Sequence, residues 1–107
     1  MSSTTVTRGN SHETFYISAS LAPSAVSSTS SNQTFTVAGL QTTDIIIPVG
    51  YVGTQTAGIA YAEAECSAAN TLQIQFINTS GSSATPATGN YVLQIVRAEG
   101  PLPTNAV

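Results

Sequence analysis

The chain is short of nearly everything that chemistry on a substrate usually requires. Its 107 residues include no lysine and no tryptophan, and a single histidine (His12), cysteine (Cys66) and aspartate (Asp44). Arg8 and Arg97 are the only cations, set against five carboxylates, for a formal net charge of −3. Phosphate backbones are gripped by clustered cations that release counterions, so nucleic acid is excluded as a partner. The same shortage excludes docking on an anionic membrane surface. The longest apolar stretch, "DIIIPVGYVG", falls far below the roughly 18 to 20 residues that a membrane-spanning helix needs. A lone cysteine forbids an internal disulfide and fits a reducing compartment, and Cys66 reads as a small buried apolar residue. The opening "MSSTTVTRGNSHETF" has no cationic end followed by an apolar block, so a product made and used without export is expected.

Catalytic groupings are equally scarce. A Ser-His-acid arrangement would need His12 and Asp44 to converge on one of many serines. Glu63 and Glu65 share one strand face at roughly 7 Å, but glycoside chemistry also needs a cleft and aromatic sugar contacts. One His, one Cys and scattered carboxylates give no metal-ligand spacing, and no cofactor is implied. The tripeptides "NQT" at Asn32 and "NTS" at Asn78 match the N-glycosylation pattern, which arises often by chance in hydroxyl-rich chains.

What the chain does have is hydroxyls and alternation. Ser and Thr together number 30, against 24 for Leu, Ile, Val and Phe, which predicts a thin core. A lone domain of this length buries only about 60 to 70% of its unfolded surface, and association is one way to bury more. In "ETFYISASL", Phe15, Ile17, Ala19 and Leu21 point one way. "APSAVSSTSSNQ" reads as a connection, and "TFTVAGL" restarts the alternation. "DIIIPVG" is apolar on both faces, with Pro48 pointing to an edge or a strand end. "IAYAEAEC" and "TLQIQFINT" form a hairpin over Ser67 to Thr71, pairing Cys66 with Leu72, Ala64 with Ile74 and Ala62 with Phe76. "YVLQIVRAE" faces Tyr91, Leu93 and Ile95 inward and Val92 and Val96 outward.

These strands, with "TTVTR" around Val6 as a further one, predict an all-β fold of about six to eight strands with no significant helix. With no helix to cover a sheet, two sheets should cover each other in a β-sandwich of jelly-roll type. The expected organisation is a flexible arm at 1–12, the sandwich at 13–99 and an extended tail at 100–107.

The half from Gln33 to Arg97 resembles a family of small virion proteins from tailed bacteriophages. "QTFTVAGLQTTDIIIPV" is similar to that family's segment in which a glycine, here Gly39, makes the turn and an aspartate, here Asp44, opens an apolar strand. "GIAYAEAECSAANTLQIQFINTS" resembles its hairpin, and "TPATGNYVLQIVR" its Thr-Pro turn, Tyr-led last strand and terminal arginine. Pro48 inside the apolar strand and the acidic Glu63 and Glu65 depart from the pattern. The resemblance implies a capsid decoration, or cement, protein on the outer surface of a phage head, made in the host cytoplasm, bound to the major capsid protein and self-associated as a homotrimer. A receptor- or carbohydrate-binding module of a fibre or tail is the alternative. Candidate subunit or capsid contacts are Ile46, Pro48, Val92, Val96, Glu63, Glu65, Val6 and Arg8, the last two lying on the arm.

Overall fold

The computed structural model describes residues 11–105. The arm residues Val6 and Arg8, and the further strand expected around them, lie outside the described residues. Six strands follow in chain order: β1 (Ser11–Leu21), β2 (Ser30–Thr36), β3 (Ile45–Tyr51), β4 (Ile59–Ala68), β5 (Thr71–Asn78) and β6 (Gly89–Ala98). The fold is all-β, with no helix among the described residues. All six strands join in one antiparallel sheet of order β1-β6-β3-β4-β5-β2.

This differs from the expectation of two sheets, and the difference lies at one pair. Ile46 opposite Ala64 is the only register pair between β3 and β4, and it makes the sheet continuous. The halves on either side, β1-β6-β3 and β4-β5-β2, are laddered along most of their length. At the thin junction the sheet curls on itself. Phe76 of β5 therefore meets Tyr91 of β6 edge to face at 6.1 Å, although β3 and β4 separate those strands in hydrogen-bonding order.

The inner surface follows the period-two pattern. Leu72, Ile74 and Phe76 from one half pack in a single cluster with Tyr91, Leu93 and Ile95 from the other, joined by Leu21, Val26, Leu40 and Ile46. Phe15, Ile17, Ala19, Phe35 and Val37 flank it, half-buried. Pro48 occupies a strand with neighbours on both sides, not an edge. It is tolerated because no β4 residue pairs with it, and the β6 ladder shifts register just beyond, between Pro48 and Gly50.

The β4–β5 hairpin has Cys66 opposite Leu72 and Ala64 opposite Ile74, in the expected register. Its loop is tighter than five residues. Ala68 pairs with Thr71 after a bulge, leaving Ala69 and Asn70 to turn the chain, with Asn70 at φ 63°, a left-handed conformation that asparagine tolerates better than most residues. A second bulge between Tyr61 and Glu63 places Tyr61, not Ala62, opposite Phe76. One inserted residue switches the faces. Ala62 goes to solvent, while Ile59 and Tyr61 turn to the core, where Tyr61 packs edge-on against Phe76 at 6.4 Å. Burying a large aromatic in place of a methyl group favours the bulged arrangement.

β2 also starts earlier than the apolar pattern indicates, at Ser30. Its half-buried positions are Ser31, Gln33 and Phe35, and Gln33 exchanges two hydrogen bonds with the backbone of Ser24, at 2.7 and 2.8 Å. A polar side chain with both groups bonded can occupy such a position without a desolvation penalty.

Asn78, at the end of β5, is 2% exposed. Its amide nitrogen donates to the carbonyls of Val26, Ser27 and Ser82 at 3.1, 3.0 and 2.7 Å, and its oxygen accepts from the Ser80 backbone N–H at 2.9 Å and the Ser80 hydroxyl at 2.7 Å. The amide is a structural hub, inaccessible to glycan attachment in the folded chain. Asn32, in the other matching tripeptide, is exposed.

Two stability predictions follow from this packing. Phe76→Ala, at a position with no exposed surface, should cost about 3 to 5 kcal/mol in equilibrium denaturation. Asn78→Ala strands several carbonyls between two loops and should cost about 2 to 4 kcal/mol, read from the denaturation midpoint at unchanged slope.

Candidate functional site

Charge is so sparse that the one charged pair with a buried carboxylate among the described residues stands out. Arg97, near the end of β6, donates from Nε to Asp44 Oδ1 and from Nη2 to Asp44 Oδ2, both at 2.8 Å, and from Nη2 to the Gly39 carbonyl at 3.2 Å. The Asp44 side chain has no exposed surface and that of Arg97 only 20%. The backbone N–H of Gln41 also donates to Asp44, at 3.0 Å. The guanidinium lies 5.4 Å from the centre of the Phe15 ring, and Glu13 of β1 approaches it at 3.7 Å. One side chain thus ties β6 to β1, to the start of β3 and to the turn at Gly39, whose φ of 91° favours glycine.

The Arg97 hydrogen bonds hold the Asp44 carboxyl below its ordinary pKa, against the opposing effect of burial, with help from the Gln41 N–H and the Arg97 charge. Asp44 in turn holds Arg97 protonated. Asp44 is therefore committed to Arg97, while His12 lies 3.5 Å from Glu99; the two do not converge on a serine. Among the described residues, no three His, Cys, Asp or Glu side chains group so as to hold a metal ion.

The sheet's two outer surfaces differ in kind. On β4-β5-β2, the rows Asn32–Gln75–Glu63 and Thr34–Gln73–Glu65 stack carboxylates beside amides. Asn32, Glu63, Glu65, Gln73 and Gln75 line a shallow depression of about 240 Å³, in which Gln73 donates to Glu65 at 3.2 Å. No aromatic ring borders it. Tyr51, Tyr61 and Tyr91 pack instead against or within the core cluster, and burial raises the Tyr91 hydroxyl above its ordinary pKa. That hydroxyl donates to the Ala87 carbonyl at 2.6 Å and accepts from Gln55 at 3.0 Å.

On β1-β6-β3 the rows read Thr14–Val96–Ile45, Tyr16–Gln94–Ile47 and Ser18–Val92–Gly50. Tyr16 is 64% exposed, Ile45 45%, Ile47 43% and Val49 54%, while Val92 and Val96 are half-buried between them.

The structure thus sorts the candidate contacts into separate groups. Val92 and Val96 lie together on the apolar surface, and Glu63 and Glu65 lie on the polar one. Ile46 is a correction: at 6% exposure it belongs to the core, because strand alternation sends Ile45 and Ile47, not Ile46, outward. Pro48, half-buried, shares the inward parity of Ile46 and stands opposite core Leu93. The Arg97–Asp44 clamp was not anticipated from spacing. The usable signal was that an aspartate opening an apolar strand needs a cation, and only two exist in the chain.

The arrangement defines an antiparallel β domain, without a helix among the described residues, with two chemically unlike outer faces. No family model, curated protein or solved structure matches the chain.

Because the folded pKa of Asp44 is depressed, its contribution to stability is present above the ordinary carboxylate range and is lost as pH falls through the folded value. Asp44→Asn should melt earlier at neutral pH and lose less of its melting temperature between about pH 5 and pH 2 than the native chain does. Thermal melts across that range check the difference in slope.

Proposed function

We propose that the protein is a structural component of a phage particle, a decoration protein that binds the major capsid protein on the outside of the head as a homotrimer. The observation that carries this reading is the division of the outer surface. A largely apolar sheet face, whose three central rows carry no charged side chain, backs onto a face of amides and acids, and the buried Arg97–Asp44 pair anchors the margin between β6 and β3. Such a surface is suited to contact, and its buried polar groups serve the frame. In the clamp, Gly39 and Asp44 from one of the stretches that carry the resemblance meet Arg97 from another. In this reading the curled sheet is a jelly-roll-type sandwich, its halves acting as two leaves over the shared core. The arm expected at 1–12, of which Ser11 and His12 belong to β1, reaches in this reading toward the shell or a neighbouring subunit.

A second reading, a carbohydrate-binding module of a fibre or tail, draws on the depression between Asn32, Glu63, Glu65, Gln73 and Gln75. Amides and carboxylates can bond sugar hydroxyls, but stacking against an aromatic ring is missing there.

Cosedimentation with undecorated heads tests the proposal. Saturable binding, weaker for a chain lacking residues 1–10, and heads that survive higher temperature are the expected results. No binding to heads, together with selective signals on a glycan array, would favour the second reading.

A further inference from the structure

We infer that the outer face of β1-β6-β3 is the surface on which copies of this chain pack against one another. The inference rests on the proposed function only for the idea of self-association; the choice of surface comes from the geometry. Tyr16, Ile45, Ile47 and Val49, each between 43% and 64% exposed, surround Val92 and Val96 on adjoining strands. Together they present on the order of 500 Å² of contiguous apolar surface, at the upper end of what monomers leave wet. With the flanking Thr14, Ser18 and Gln94 the patch reaches about 600 Å², the lower end per partner of a specific interface.

Charge selects the occupant. The three cross-strand rows contain no ionisable side chain other than the Tyr16 phenol, so two identical patches can meet without placing like charges together. Glu63 and Glu65 belong to the other half of the sheet, so this packing keeps acids of neighbouring copies out of the contact. A strongly charged partner would find no complement here, whereas a second copy supplies a matching neutral face. Gln94, between Tyr16 and Ile47, offers both a donor and an acceptor at the centre of the patch, so its amide can bond polar groups of a neighbouring copy about a shared axis.

Sedimentation velocity on the full chain tests this. The native protein should sediment at two or three times the 10.9 kDa chain mass. Ile47→Glu and, as an independent variant, Tyr16→Glu should each lower that mass two- to three-fold while keeping the native circular dichroism spectrum, because both side chains are solvent-facing in one copy. Thr34→Glu adds the same charge to the opposite outer face and should leave the mass unchanged. A native chain that stays at single-chain mass up to its solubility limit, or folded Ile47→Glu and Tyr16→Glu chains that retain the oligomer, would overturn the inference. Head binding is scored separately: monomers that decorate heads overturn the surface assignment alone, and oligomers that ignore heads overturn the capsid reading alone.

Discussion

Among the described residues there is no helix, so only strands can cover a hydrophobic sheet face, and that constraint organises the molecule. An antiparallel sheet can leave one face in water but must bury the other. Here the sheet does so by curling at the Ile46–Ala64 pair, so that the inner residues of both halves join one cluster. Other features follow from the bend. Pro48 is tolerated because β3 and β4 have parted where it falls. Tyr61 is directed inward by a bulge, and the three core tyrosines find polar partners or ring edges near the open end. Asn78 and Gln33 bond to the loops that cover the margins of the fold.

The clamp at Arg97 solves a related problem. A core drawn from a chain with only 24 larger apolar residues, several of them exposed, is thin, and its margins need anchoring by something directional. A bidentate guanidinium–carboxylate pair supplies that direction, and the Gly39 carbonyl and the Phe15 ring share the same cation. Arg97 therefore does the work of several apolar contacts at the junction of β1, β6 and β3. A lysine, with a point charge and no planar fork, could not make the same set of bonds.

Much of this was legible in the sequence, and the omissions have physical causes. The inward positions of β1, β5 and β6 follow from strict alternation, because apolar and polar residues there change places every residue. The β4–β5 register was legible from Cys66 and Ala64, since small residues face large ones across the pair. Alternation failed at Ala62, where a bulge exchanged the faces of a segment apolar or small on both sides, and at Ser31 and Gln33, where polar residues hold inward positions through hydrogen bonds. The single sheet was not legible at all: whether two leaves join depends on one backbone pair. Of the candidate contacts, Val92 and Val96 share a face because they sit four residues, two periods of the strand's alternation, apart on one strand, and Ile46 was misplaced because three consecutive isoleucines conceal which of them points inward.

The thin junction between β3 and β4 has a mechanical consequence. Within each half, neighbouring strands are stitched by ladders of hydrogen bonds that resist shear along their length. Between the halves the backbone stitching reduces to the Ile46–Ala64 pair, and the load passes chiefly through interdigitated side chains, Phe76 against Tyr91 foremost. The sheet is thus stiff along the ladders within each half and more yielding where the halves join. A pull along the strands of one half is resisted by its ladders, whereas a force acting across the junction meets mainly the cohesion of the core.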